Sequence, residues 1–378
     1  VKTLHPRIHG GILADRGVDQ HRSDLATNDI EPIDLVVVNL YPFIEKPGIE
    51  TIDVGGPTMV RAAAKNHAWV GVVTCPARYG AILDELRAND CTLGPETRSR
   101  LALDAFALTA SYDAAIVSWL QGDEVLPPNV ILPLERVTSL RYGENPHQTA
   151  ARYRVRNAPR GWIDRALQHG GKELSYINLL DADAAWSLVN RFEEPACVVV
   201  KHANPCGVAL GSDDTDAYRR AFECDSLSAF GGVVAVNRPL TLVTAEAIAE
   251  VFTEVIIAPG YEDAARAKLT EKANLRVLEA PVPSPGNLDL RPVGGGFLVQ
   301  EVDPRLADRD DWKVVTKVSP TQDQWRDLEL AWVVCAAVTS NAIVLVRNGQ
   351  AVGIGAGQQS RVHSTEIAAS KAQGRARG

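Results

Sequence analysis

Cysteine is sparse in this chain of 378 residues, and the six that occur follow no ligand pattern. They stand at 75, 91, 197, 206, 224 and 335, with no pair in C-x-x-C spacing, which argues against a structural zinc site or a dithiol redox pair. Free, buried thiols in a reducing compartment are expected, and with them a cytoplasmic location. Long apolar runs are missing as well. None approaches the ~18 residues of a membrane-spanning helix, and no secretory leader opens the chain, so no membrane partner is expected. An excess of positive charge is also lacking. The formal net charge is -8, from 39 Lys and Arg against 47 Asp and Glu. Nucleic acid is therefore not an expected partner, and any anion site has to be local. Low-complexity tracts and repeats of a solenoid period are absent too. What remains is 46% hydrophobic and 23% charged, a globular composition. At about 100–200 residues per domain it predicts two or three domains.

Apolar runs and helical periodicities alternate along the first third. Residues 34–40 and 69–74 predict buried parallel strands, and residues 57–67 predict a short helix behind Gly55-Gly56, with Pro57 in its first turn. Residues 95–120 have a helical period. Together these predict an α/β lobe with a parallel, doubly wound sheet. A Pro-rich stretch between Gln121 and Gln148, with Pro127-Pro128 and Pro133, marks a boundary. The domains are accordingly expected at 1–125 and 126–378, with a further subdomain break near 300–320. In the second lobe, residues 196–200, 233–236 and 255–257 predict strands and residues 320–338 a helix. Residues 342–346 and 351–354 flank Asn348-Gly349, a two-residue hairpin signal.

Four segments concentrate polar chemistry in the first lobe: Lys2-Thr3-Leu4-His5-Pro6, Asn39-Leu40-Tyr41-Pro42-Phe43, Ile52-Asp53-Val54-Gly55-Gly56-Pro57, and the helical stretch from Arg61 through Lys65 to His67. Tyr41 follows a buried strand, where α/β sheets bind ligands, although a core tyrosine with a satisfied hydroxyl fits the position as well. Gly55 and Gly56 open a helix whose free N–H groups can hold an anion. Arg61 and Lys65 share one helical face, where like charges cost roughly 0.2–0.5 kcal/mol unless an anion or Asp53 offsets them. A solvated helix face explains the same pair.

In the second lobe the segments are Leu140-Arg141-Tyr142-Gly143-Glu144-Asn145-Pro146-His147-Gln148, Lys201-His202-Ala203-Asn204-Pro205-Cys206-Gly207, Ser228-Ala229-Phe230-Gly231-Gly232, Glu254, Ser340-Asn341 and Gly353 to Arg361. Lys201-His202 follows the apolar strand Val198-Val199-Val200. Adjacent strand residues point to opposite faces, so both reach one cleft only if the chain leaves the strand there, as Asn204-Pro205 and Gly207 suggest. A His at that place, beside a Lys that disfavours its charged form, suits a general base, and a structural His at a loop start suits it too. The glycines from 353 to 357 lie in a hairpin, not in a strand-to-helix turn, and are expected to allow close packing under Arg361 rather than to bind a dinucleotide. His202 and Cys206 lack the remainder of a zinc-deaminase pattern, so no metal is expected.

In this order the segments at 2–6, 39–43, 52–57, 61–67, 140–148, 201–207, 228–232 and 355–361 resemble the bifunctional purine-biosynthesis family that joins AICAR transformylase to IMP cyclohydrolase. The resemblance implies a methylglyoxal-synthase-like α/β lobe followed by a duplicated cytidine-deaminase-like α/β region. It implies formyl transfer from the co-substrate 10-formyltetrahydrofolate to AICAR, then dehydrative closure to IMP. By resemblance, His202 takes the proton of the amine, Lys201 assists on the folate side, and Asn341 orients the reacting groups. Arg141, Tyr142 and Arg361 match nucleotide and phosphate contacts, Gly231 lies in a substrate-binding segment, and Glu254 stands where the family often has an acid near the folate. Lys65, Tyr41, Asp53 and Lys2 match the ring-closing group, with Arg61, Gly55 and Gly56 as binding residues. An intertwined homodimer in the cytoplasm is implied, with no metal. The alternative is a transformylase alone, with the first lobe kept as scaffold. A nucleotide-binding module without catalysis would need no base beside a lysine. Family members begin earlier, with a strand and a phosphate-binding turn, and continue past Gly378, so a fragment that is unstable or inactive in ring closure is expected.

Overall fold

The computed structural model describes residues 3–284, 286, 288–303 and 309–377, and its contacts divide the chain into two units. Unit 1 is Val1–Arg136 with Tyr153–Ala158, and unit 2 is Val137–Arg152 with Pro159–Gly378.

Unit 1 runs α1 (Pro6–Leu13), α2 (Asp19–Thr27), β1 (Leu35–Val37), α3 (Gly55–Lys65), β2 (Gly71–Val73), α4 (Tyr79–Ala88) and α5 (Pro95–Gln121). Pro95 stands at the start of α5, where its missing N–H is not needed. Strands β1 and β2 pair in parallel, Leu35 opposite Gly71 and Val37 opposite Val73. The doubly wound sheet expected here is thus a two-stranded one among the described residues. The run at 34–40 is also not buried on both faces. Val36 is buried, whereas Leu35 and Val37 are exposed, because the described elements pack on one side of β1 only. The core gathers Val36, Val60, Ala63, Val70, Val72, Leu101 and Ala105 from both strands, α3 and α5.

Among the described residues, α5 has the length and apolar composition of a membrane span, contrary to the expectation that no run approaches one. Its Leu101, Ala102 and Ala105 belong to the core just described, and 39% of its most apolar stretch is buried.

The division between the units passes through the hairpin of β3 (Leu134–Leu140) and β4 (Ala150–Val155). Unit 2 continues with α6 (Trp162–Arg165), β5 (Leu167–Gly170), α7 (Tyr176–Val189), β6 (Ala196–Lys201), β7 (Asn204–Leu210), α8 (Asp214–Cys224), α9 (Ser226–Ala229) and β8 (Val233–Val236). There follow α10 (Leu242–Ala249), β9 (Val255–Ala258), α11 (Asp263–Thr270), β10 (Arg276–Glu279) and the hairpin β11 (Leu288–Val293) with β12 (Gly296–Glu301). The chain closes with α12 (Gln322–Ala336), β13 (Ile343–Arg347), β14 (Gln350–Gly355) and α13 (Arg361–Ala372).

Eight strands form one mixed sheet in the order β13-β14-β7-β6-β8-β9-β10-β5. Its central strands are buried on both faces, and alternate residues serve the two sides. Val198 and Val200 of β6 join a cluster with Trp186 of α7 and Val334 of α12, whereas Cys197 and Val199 join Tyr218 of α8, Ile248 of α10 and Leu269 of α11. The unit is therefore a layered α/β structure with helices on both faces. Asn348 and Gly349 both take positive φ in the β13–β14 turn, as the hairpin signal required.

Candidate active site

One end of the unit 2 sheet opens on a cleft of ≈ 620 Å³. Strand β6 ends there at Lys201, β8 begins there at Val233, Glu254 immediately precedes β9, and Arg276 begins β10. Because β6 runs antiparallel to β8, the end of one strand and the starts of three others meet at a single edge. Arg141, Tyr142, Lys201, His202, Gly231 and Glu254, singled out in the sequence, all line this cleft. Its charged lining is Arg141, Lys172, Lys201 and Arg276 against Glu144, Asp181 and Glu254, four to three, in a chain of net charge -8.

The chain leaves the strand after Lys201, as the sequence suggested, but Asn204-Pro205 and Gly207 belong to the next strand and not to a loop. It folds straight back: Lys201 pairs with Asn204, and His202 and Ala203 form a two-residue turn with φ of 53° and 58°. That is the twist a two-residue hairpin needs, and it brings both Lys201 and His202 to the cleft. Pro205 is accommodated because a bulge at Val199/Val200 interrupts the ladder. Left-handed backbone costs a residue with a Cβ roughly 1–2 kcal/mol, so two in succession need support.

Asp181 of α7 supplies that support. Its Oδ1 accepts from the Ala203 N–H at 2.6 Å and its Oδ2 from the His202 N–H at 3.3 Å. A capping box of Ser175 and Asn178 starts α7 and so fixes where Asp181 stands. Across the turn, Asn204 Nδ2 donates to the His202 carbonyl at 3.2 Å, while its Oδ1 accepts from the Thr339 N–H at 3.0 Å. Thr339 lies two residues before Asn341, whose Nδ2 donates to the Gln358 carbonyl at 2.9 Å. Asn341 and Arg361 are not in the cleft wall, but Asn341 is joined to the His202 turn through this chain of bonds.

The facing wall is held in the same way. Lys201 Nζ donates to the Phe230 carbonyl at 2.7 Å, and Gly231, at φ 71°, donates its N–H to the Phe252 carbonyl at 2.7 Å. Glu254 pairs with the Arg276 guanidinium, which is 5% exposed and also donates to the carbonyls of Asn274 and Glu173. Arg276 Nε has no hydrogen-bond partner among the described residues. The Arg141 guanidinium lies over the Tyr142 ring, 5.5 Å from its centroid. Asp181, Asn178, Lys172 and Arg276 were not singled out in the sequence. Arg276 left a usable signal, a charged residue between the apolar Leu275 and Val277-Leu278, which calls for a buried partner. Asp181 left none, because the N–H groups it serves are some twenty residues away in sequence.

The residues of unit 1 are arranged differently from expectation. Asp53 does not offset Arg61 and Lys65: its Oδ1 accepts from the Gly56 N–H at 2.8 Å, at the start of α3. Lys65 ends the same helix, about 15 Å along its axis at 1.5 Å per residue. The helix start read as an anion site thus has its own carboxylate on Gly56, and Thr3 Oγ1 would lie 2.3 Å from a Cβ on Gly55. Arg61 lies over the Phe106 ring at 5.5 Å. Tyr41 is not a core residue but 57% exposed, beyond the end of β1. Lys2 lies outside the described residues.

The glycines of β14 do what close packing demands. A Cβ on Gly353 would lie 2.1 Å from the Ala368 carbonyl oxygen, and one on Gly355 1.9 Å from that of Ser364, both in α13. They allow the helix that starts at Arg361 to lie directly on the strand.

Comparison with known proteins bears on most of the chain. The model of the family described as "AICARFT/IMPCHase bienzyme" matches residues 63–371. A solved structure titled "Crystal structure of ForH" is 34% identical over 32% of this chain and 67% of that one, with a TM-score of 0.29. That likeness is one of sequence over about a third of the chain and says nothing of its fold.

Proposed function

The chain belongs to the AICARFT/IMPCHase bienzyme family, and from that membership we propose that it carries out the last two steps of IMP synthesis. In unit 2, the 5-amino group of AICAR attacks the formyl carbon of 10-formyltetrahydrofolate. The new C–N bond forms as the bond to N10 breaks, N10 takes a proton, and formyl-AICAR and tetrahydrofolate leave. The amine is a poor nucleophile, its lone pair being delocalised into the ring and carboxamide. A base that removes its proton during attack therefore lowers the barrier. His202 takes that role, Lys201 assists at the folate, and Asn341 orients the reacting groups. Arg141 and Tyr142, with Arg361, hold the ribonucleotide phosphate, for which Arg is suited as a bidentate donor. Gly231 and Glu254 complete the binding wall. In unit 1, the carboxamide nitrogen of formyl-AICAR attacks its own formyl carbon and water is lost. That step is intramolecular and asks mainly for orientation and a place for oxyanion charge, roles given to Lys2, Tyr41, Asp53 and Lys65, with Arg61, Gly55 and Gly56 as binding residues. A cytoplasmic homodimer using folate, with neither metal nor nucleic acid as partner, belongs to the same proposal.

The observation that carries this reading is the Lys201-His202 turn, set into a cleft that Arg141 and Tyr142 also line. A second reading, a transformylase whose first unit is scaffold, is favoured by the start of the family match at residue 63 and by Asp53 and Lys65 lying at opposite ends of α3. One assay separates them: AICAR and 10-formyltetrahydrofolate are supplied, and tetrahydrofolate and IMP are followed independently. The two-step reading gives both products, and tetrahydrofolate without IMP selects the second reading. His202→Ala should slow tetrahydrofolate release by roughly 10²–10⁴-fold while AICAR binding changes little. A wild-type rate in that variant removes His202 as the base.

A further inference from the structure

We propose that Asp181 is the positioning residue of the formyl-transfer site, acting on His202 through the backbone of the turn that carries it. The inference rests on the formyl-transfer reading of the cleft and adds a residue that neither the motifs nor the family resemblance identified.

The argument starts from the turn. His202 and Ala203 are consecutive non-glycine residues with φ of 53° and 58°, a conformation that costs a residue with a Cβ free energy. A turn of this kind relaxes unless its surroundings over-determine it. Here both N–H groups of the strained pair point at one carboxylate, with bonds of 3.3 and 2.6 Å. Asp181 is 7% exposed, sits on a capped helix whose Ala182 and Ala185 belong to the core, and lines the cleft. A charged group is costly to bury in this way unless its hydrogen bonds are made, and these two N–H donors make them. The negative charge also cannot be replaced by an amide without loss. Asparagine offers one acceptor oxygen and would turn an N–H donor towards the second N–H of the turn. The direction of the His202 Cα–Cβ bond, from which the imidazole is carried, is set by the backbone of the turn. Loss of the clamp therefore moves the imidazole relative to an amine it must meet within hydrogen-bond reach, and a misplacement of about 1 Å costs on the order of 10²-fold in rate.

The test uses the full chain and the variants Asp181→Asn, Asp181→Ala and Asp181→Asn with Ala203→Gly. Glycine takes left-handed backbone without steric cost, so the third variant restores the turn without restoring the clamp. Formyl-transfer kcat, KM for AICAR, the thermal midpoint and amide hydrogen exchange at Ala203 are measured. The expected result is a fall in kcat of roughly 10–100-fold with KM changed less than about threefold. Ala203 exchange should be faster, and kcat should partly recover in the double variant. An unchanged kcat overturns the proposal. So does a rise in KM alone, which would make Asp181 a binding group. A fall in kcat that follows the thermal midpoint and is not relieved by Ala203→Gly also overturns it, since that is a purely structural role. If the wild-type protein forms no tetrahydrofolate, the formyl-transfer reading fails by itself. Ala203 exchange then still decides the clamp: faster exchange in Asp181→Asn keeps it, and unchanged exchange removes it.

Discussion

Cys206 occupies the extra position of the β6–β7 bulge, between the Val199–Gly207 and Val200–Pro205 pairs, and its thiol donates to the Val199 carbonyl at 3.5 Å. Burial pushes its pKa up to about 12 and that of Cys224 up to about 11, and it raises Cys197 well above the ordinary thiol value. The sequence led us to expect free, buried thiols, and this holds for those three. Cys75 and Cys91 are exposed and Cys335 is intermediate, because position in a sequence does not report which side of a loop faces water. A chromogenic disulfide reagent at pH 8 should modify Cys75 and Cys91 quickly and Cys197, Cys206 and Cys224 only on unfolding. Rapid native-state labelling of Cys206 would contradict the burial. The same shifts carry a pH dependence. Between the unfolded thiol value near 9 and the folded values near 11 and 12, the folded state keeps protons that the unfolded state has lost, so stability falls as pH rises. Each thiol contributes a slope of about 1.4 kcal/mol per pH unit within that window and none well below pH 9. Denaturant unfolding at pH 8, 9 and 10 should show midpoints that are level at first and then decline.

Among the elements, the β14–α13 contact illustrates what a motif reading can miss and what it can reach. The glycines between 353 and 357 were read as packing glycines because they sit in a hairpin, and Gly353 and Gly355 lie against the α13 backbone with no room for a Cβ. Gly355→Ala should destabilise unit 2 by roughly 1–3 kcal/mol through overpacking, read as a lower denaturant midpoint at unchanged slope. A change under about 0.5 kcal/mol would mean that α13 shifts freely. Gly80 in α4 is the contrast, since nothing lies within 4 Å of a Cβ there, and Gly80→Ala should stabilise its helix by up to about 1 kcal/mol. The strands at 196–201, 233–236 and 255–258 and the helices at 55–65 and 95–121 were legible to within one or two residues, apart from the first turn of α3. Their apolar runs and proline starts are local signals. That the chain leaves the strand after Lys201 was legible, but that Asn204-Pro205 open the next strand was not. Asn204-Pro205 is a turn signal by itself, and only the bulge and the Asp181 clamp keep those residues in a strand.

At the scale of the whole chain, the proposal assigns two chemistries to two units, and they should separate by mutation. His202→Ala should stop formyl transfer while ring closure of supplied formyl-AICAR stays within about twofold of wild type, and Lys65→Ala should do the reverse. Loss of both activities in either variant would show that the steps share one site. Lys65→Ala with unchanged ring closure would leave unit 1 as scaffold. The sequence by itself determined the α/β class, the central strands and the family, because these rest on apolar periodicity and on contiguous motifs that a linear chain displays. It also placed Arg141, Tyr142, Lys201, His202, Gly231 and Glu254 on the list of residues that one cleft turned out to hold. The tertiary structure alone decided that Asp53 serves Gly56 rather than Arg61 and Lys65, that Arg276 backs Glu254, and that Asp181 grips the turn of His202. Two of these are contacts between a carboxylate and a backbone N–H, and the third is an ion pair between the starts of neighbouring strands. Such a contact exists only once the strands have been paired and the donors that water no longer satisfies must find acceptors inside the protein.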